Sequence, residues 1–180
     1  PKTSDYISKF SKLIRLILDH SKVENISLHE ELETVKLYLH IESLRMNHNF
    51  DFTIDIDEKV LTENIMIPPM LIQPFIENAI WHGIVPRNTG GNVSLNVSRR
   101  DGIIEIVIDD DGIGREASRQ NKSASGLTHQ SKGVNLTQSR LELNNLLQQR
   151  QAELEIIDKK NENGTAMGTA VIIKIKEELS

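Results

Sequence analysis

Apolar residues recur at Ile7, Phe10, Leu13, Ile14, Ile17 and Leu18 between Asp5 and His20, the spacing of one helix face. Ser4 offers a hydroxyl to cap the start of that helix. A second helix is predicted from Ser27, and Glu30 three residues on completes a capping box. Its apolar stripe runs through Leu28, Leu32, Val35 and Leu39 towards Leu44. Periodicity alone fits two amphipathic helices that pack on each other or on a partner.

Downstream the period changes. Phe50 to Ile56 alternates apolar and polar, as a strand does. Pro68-Pro69 suits the first turn of a helix. Pro74 is tolerable only in or near a first turn, because interior proline removes a backbone bond. Val93, Leu95 and Val97, then Ile104, Ile106 and Ile108, alternate on either side of Asp101-Gly102, which predicts a hairpin. Residues 115–132 are polar, lack periodicity and read as a mobile loop. A helix is predicted from about Gly133 to Gln149, with Leu136, Leu141, Leu143, Leu146 and Leu147. Two strands close the chain, near Leu154–Ile157 and Ala170–Ile175, with Gly164-Thr165 and Gly168-Thr169 in the turn between them. This order predicts helices segregated on one face of a mixed sheet.

Composition narrows the function. A chain of 180 residues can bury a real core in one or two domains. A net charge of −5 without a Lys/Arg-rich run argues against a nucleic-acid binder. The absence of cysteine excludes disulfides, thiolate catalysis and Cys-zinc sites, and fits a reducing compartment. No apolar run approaches membrane-spanning length.

Two segments carry candidate chemistry. The first, Gln73 to Gly83, reads as a helix with an acid, Glu77, beside an amide, Asn78, ending at a glycine. A carboxamide can hold a hard cation through its oxygen. The second is a strand that runs into Asp110, Gly112 and Gly114. A carboxylate beside glycines can accept a hydrogen bond from a flat ring lying against bare backbone. Together they suggest a Mg-nucleotide site. Each alone also fits a blander reading, a locally bonded asparagine or a plain Asp-Gly turn.

Pro69-Met70-Leu71-Ile72-Gln73-Pro74-Phe75-Ile76-Glu77-Asn78-Ala79 with His82-Gly83 resembles the N box of LytS-type sensor histidine kinases. Asp109-Asp110-Asp111-Gly112-Ile113-Gly114 resembles their first glycine box, and Gly133-Val134 through Arg140-Leu141 their second. Leu28, Glu31-Leu32, Val35, Tyr38-Leu39, Glu42 and Arg45 resemble the linker helix that joins dimerisation and catalytic parts. The resemblance implies the two-layer α/β (α+β) sandwich of the GHKL superfamily over residues 48–180. Residues 1–47 would supply part of the dimerisation region and the linker helix.

It also implies roles. Asn78 would ligate Mg²⁺ and, with Glu77, stand at the catalytic position, Glu77 shaping the water around the metal. Asp110 would accept from the adenine amino group of ATP, with Gly112 and Gly114 letting the ring approach. Asp111, pointing elsewhere by alternation, would be structural. His82, one helical turn beyond Asn78, would line the nucleotide near the ribose. Gly133 would bring backbone amides to phosphate at a helix start, and Arg140 would pair with phosphate or an acidic neighbour. Thr169 would flank the adenine pocket.

There are departures from the family's pattern. Trp81 stands where a lysine is common, Ser131 where a glycine is usual, and Leu136 where an asparagine is expected. They imply weaker nucleotide affinity or a different lid closure. None of the histidines at 20, 29, 40, 48, 82 and 129 lies in an acceptor motif. The expectation is therefore a chain that starts downstream of its phosphoacceptor. The implied function is γ-phosphoryl transfer from ATP to a histidine of the protein's own dimerisation region, and thence to a response regulator. The implied setting is a homodimeric, cytoplasmic domain of a bacterial kinase, membrane-anchored through segments upstream. Two alternatives stand beside it. A gyrase- or MutL-type ATPase would need an acid four residues before Asn78, where Pro74 lies. A non-catalytic interaction module with a vestigial pocket would tolerate Trp81 and Ser131.

Overall fold

The computed structural model describes residues 2–47, 49–118 and 152–176. Helix α1 spans Lys2–His20 and α2 spans Leu28–Arg45. α1 begins before Ser4, so that serine lies within the helix and does not cap it. The box at α2 forms as read: the Glu30 N–H donates to Ser27 Oγ at 3.2 Å, and the Ser27 N–H donates to Glu30 Oε2 at 2.8 Å. α1 packs on α2 through buried Leu13 and half-buried Ile17, while Ile7, Phe10, Ile14 and Leu18 stay exposed.

Five strands form one mixed sheet. They are β2 (Phe50–Ile56), β4 (Gly91–Arg100), β5 (Ile103–Asp110), β6 (Glu153–Lys160) and β7 (Ala166–Lys176), in the order β2-β4-β5-β7-β6. β2 runs parallel to β4 and the other pairs are antiparallel. The β4–β5 turn places Asp101 at φ 52° and Gly102 at φ 75°, the two positive angles that match a tight turn to strand twist. A small ribbon, β1 (Ile26–Ser27) with β3 (Met66–Ile67), ties the start of α2 to the chain ahead of the next helix.

Alternation decides which face of the sheet is covered. Val93, Leu95, Val97, Ile104, Ile106, Ile108, Val171, Ile173 and Ile175 are all buried. Their fellows on the other face, such as Glu105, Val107 and Asp109, are half-buried. Full burial of each isoleucine stabilises by roughly 1.5–3 kcal/mol. The helical layer over this face includes α2, α3 (Gln73–Asn78) and a π-helical stretch, Ala79–Ile84, whose Ile80 and Ile84 reach the core.

Three expectations need correction. Pro68-Pro69 do not open a helix. The chain turns at Met70, which has φ 63°, and enters α3 at Gln73 with Pro74 in the first turn. Gly168-Thr169 lie inside β7, not in the turn, which is made by residues 161–165. Residues 115–118 form a helical turn instead of loop, with the Ser118 N–H donating to the Gly114 carbonyl at 3.2 Å. The rest of the expected loop and the helix predicted from Gly133 to Gln149 lie outside the described residues.

Candidate functional site

Asp110 ends β5, opposite Val93 on one side and Thr169 on the other. It is 5% exposed, and its Oδ1 accepts the Gly112 N–H at 2.8 Å. Burial pushes its carboxyl up to about 6, against the pull of the Gly112 N–H, Lys159 and the Thr169 N–H. Lys159 is paired with neighbouring Asp109 at 2.6 Å.

Glycines make the surroundings of Asp110. A Cβ on Gly83 would meet Asp110 Oδ1 at 2.8 Å, and one on Gly168, at φ 104°, would meet the Asp110 carbonyl oxygen at 1.9 Å. Gly83 thus lies against the carboxylate and Gly168 against the backbone of Asp110, with no room for a side chain at either position. Gly114, at φ 79°, lies against Ala166 at the start of β7. Asp111 faces away from Asp110, as alternation predicts: its Oδ1 accepts the Asn92 N–H at 2.7 Å and pairs with Arg87.

Glu77 and Asn78 end α3, both half-buried. Glu77 Oε1 accepts from Gln73 Nε2 at 3.0 Å. His82 lies in the π-helical stretch, half-buried. That local form changes the offset expected between Asn78 and His82. A turn closed by i→i+5 bonds needs more than four residues, so an α-helical turn does not relate the two. The helical path also continues past Gly83 to Ile84 before a 3₁₀ turn at Val85–Arg87, so the glycine does not end it. Gly133 and Arg140, and Ser131 and Leu136 with them, lie outside the described residues.

Trp81 turns towards α2. Its Nε1 donates to the Tyr38 hydroxyl at 3.2 Å, and the Arg45 guanidinium sits 4.1 Å above its ring. Gly83, Gly168 and Glu31 are site-shaping residues that periodicity did not single out. Gly83 stood in the N-box motif and Gly168 in a glycine pair, but no local pattern gives their neighbours across the sheet. Glu31 stood in the linker-helix resemblance, which gave it no role at the site.

A Mg-nucleotide fits these donors. Among the described residues no hydrogen bond engages the Asn78 carboxamide, and no three His, Asp or Glu side chains gather to cage a cation. Mg²⁺ is commonly held by one or two protein oxygens together with substrate phosphates, which suits a lone amide oxygen. Asp110, buried among glycines, suits a ring amino donor.

The family model described as Histidine kinase matches residues 1–50, which cover α1 and α2. LytS sensor histidine kinase/phosphatases of Staphylococcus aureus are similar to the chain: 32% identical over 114 residues in strain MRSA252 and 31% in strain Mu50. Each match covers 63% of this chain and 19% of the relative, so the chain spans a minor part of those proteins. Two solved structures share its fold. The histidine kinase domain of the Erythrobacter litoralis EL346 blue-light activated histidine kinase has a TM-score of 0.54 at 16% identity, over 96% of this chain and 80% of that one. The catalytic domain of histidine kinase ThkA has a TM-score of 0.51 at 13% identity, over 85% of this chain and 94% of that one. Sequence and fold therefore agree: the chain is similar to the LytS sensor histidine kinases and carries the fold of a histidine kinase catalytic domain.

Proposed function

We propose that this chain is the Mg-ATP-binding catalytic region of a two-component sensor histidine kinase. It transfers the γ-phosphoryl group of ATP to a histidine outside the chain, from which the group passes to an aspartate of a response regulator. The observation that carries the reading is the buried Asp110 carboxylate, which accepts the Gly112 N–H and lies against Gly83 of the π-helical stretch that follows Asn78.

Asp110 accepts from the adenine amino group and sets the base against the glycines. Asn78 offers its amide oxygen to Mg²⁺, and Glu77, fixed by Gln73, orients water around it. When bound, Mg²⁺ neutralises charge on the phosphates. His82 lines the ribose side; the resemblance assigns Gly133 to the phosphates and Arg140 to phosphate or an acidic neighbour. Such transfer is mostly positioning and electrostatics, so the protein's contribution is a fixed frame. Residues 1–47 form the dimerisation and linker part, and 48–180 the catalytic domain. The exposed stripe Ile7, Phe10, Ile14 and Leu18 on α1 supports a homodimer formed through that helix. Among the described residues no helix is long and apolar enough to cross a membrane.

Calorimetric titration of the purified chain with ATP, with and without Mg²⁺, tests the reading. Saturable binding that Mg²⁺ strengthens is expected. No binding would leave the vestigial interaction module, for which Trp81 offers no support, since that ring docks on α2.

A further inference from the structure

The helix that carries Glu77 and Asn78 does not cap itself. The residue before it, Ile72, makes no side-chain cap bond. Its first turn is held instead by Glu31, from the first half of α2. Glu31 Oε1 accepts the Ile72 N–H at 3.0 Å and the Gln73 N–H at 3.4 Å, while Oε2 accepts the Met70 N–H at 3.0 Å. A single carboxylate thereby satisfies three backbone donors about 40 residues away and holds the left-handed Met70 in place. Glu31 is 1% exposed. A buried carboxylate without partners would be costly, so the three N–H groups and the positive end of the helix dipole are what keep it there.

The other end of the same helical path is also tied to α2. Trp81 Nε1 donates to the Tyr38 hydroxyl, and Arg45 covers the Trp81 ring. Arg45 is itself fixed by Glu42 at 2.6 Å. Glu31, Tyr38 and Arg45 stand seven residues apart, two helical turns each, and so share one face of α2. One face of α2 therefore grips residues 70–73 at one end and Trp81 at the other. Asn78 lies between the two grips.

We propose that Glu31 is a positioning residue of the nucleotide site: from α2 it sets where α3 begins, and with the Tyr38–Arg45 grip on Trp81 it fixes the placement of Asn78. This rests on the nucleotide reading of the site. Movement of α2 along or about its axis is then transmitted to the metal-binding helix through two defined contacts. It also gives Trp81 a place in the site's construction that a lysine at that position would not fill.

The test uses Glu31→Ala, Glu31→Gln and Tyr38→Phe, with circular dichroism confirming the folded state at the working temperature. Trp81 is the sole tryptophan, so its emission reports the grip directly, without ligand. Expected for folded Glu31→Ala are Mg-ATP affinity weakened about tenfold or more and a shifted Trp81 emission. Glu31→Gln, which keeps one accepting oxygen, should fall between that variant and the wild type. Folded Glu31→Ala with wild-type affinity and wild-type emission overturns the proposal, even if its melting temperature drops. If Glu31→Ala does not fold, wild-type affinity and emission in both Glu31→Gln and Tyr38→Phe overturn it. If the wild type fails to bind Mg-ATP, the nucleotide reading falls by itself. The coupling of Glu31 to the Trp81 end of the helix is then decided by emission: a shift in Glu31→Gln supports it, and none overturns it.

Discussion

Gly83 and Gly112 meet backbone to backbone. A Cβ on Gly112 would lie 2.4 Å from both the Cα and the carbonyl carbon of Gly83, and the Ile113 N–H donates to the Gly83 carbonyl at 3.1 Å. This contact joins the helical layer to the glycine turn after β5. Gly112→Ala should therefore cost at least about 3 kcal/mol, the upper end of the overpacking range. A methyl added to Gly102, in the β4–β5 turn, would meet nothing within 4 Å, but that residue sits at φ 75°. Gly102→Ala should cost about 1–2 kcal/mol, for the left-handed backbone alone. Urea unfolding of both variants compares the two. Equal losses would mean that the turn at Gly112 yields easily to the methyl.

The Asp110 carboxyl makes nucleotide binding pH-dependent. Its folded value of about 6 lies above the ordinary 3.8, so the folded chain holds a proton that the unfolded chain releases over that window. Its contribution to stability is present below about 3.8 and is lost as pH rises through about 6. The charged carboxylate accepts from an adenine amino group more strongly than the protonated one, so affinity should run the other way. Mg-ATP should bind about tenfold more weakly at pH 5 than at pH 7.5, one unit being a factor of ten. Calorimetry at the two pH values measures this, and Asp110→Asn should bind more weakly by about 1–3 kcal/mol and lose the pH dependence. The same contact reads the ring: guanine presents an acceptor where adenine presents the amino group, so GTP should bind less well than ATP.

Asn78→Ala should leave the fold intact, since a half-buried helical side chain without a hydrogen bond among the described residues is replaced by a good helix former. Mg-ATP affinity should drop by at least an order of magnitude, while affinity for ATP without Mg²⁺ should change little. Parallel titrations with Mg²⁺ and with a chelator separate the two. A loss of equal size under both conditions would place Asn78 against the nucleotide instead of the metal.

What was legible in the sequence follows from range. The hairpin at Asp101-Gly102, the capping box at Ser27 and the alternation of β2, β4 and β5 are local, and local chemistry determines them. Asp110 could be singled out because a strand that runs into Asp-x-Gly-x-Gly carries its own turn. The start of α3 was legible at Gln73 with Pro74 in the first turn, while the competing start at Pro68-Pro69 was not excluded, because the deciding partner, Glu31, is supplied from α2. Gly168 looked like a turn residue because only the fold brings it against Asp110. The π-helical stretch was equally hidden: Ala79–Ile84 has no sequence mark that separates i→i+5 from i→i+4 bonding.

The chain should bind ATP without phosphorylating itself. Transfer needs an acceptor nitrogen within near-attack distance of the γ-phosphorus, with room to approach in line. His20 is 8% exposed at the end of α1. His40 is set edge-on against Phe52, with ring centroids 5.0 Å apart. His29 lies 3.7 Å from Glu63, at the start of α2. None of them lies on the elements that carry Asn78 and Asp110, and His82, which does follow directly on Asn78's helix, is assigned to lining the ribose. Incubation with γ-labelled ATP and Mg²⁺ should yield a saturable complex but no acid-labile phosphate on the protein. Labelling of the chain would place an acceptor within it. Replacing the histidines at 20, 29, 40, 48, 82 and 129 by alanine one at a time would identify it by loss of the label, with retained Mg-ATP affinity separating an acceptor from a binding residue.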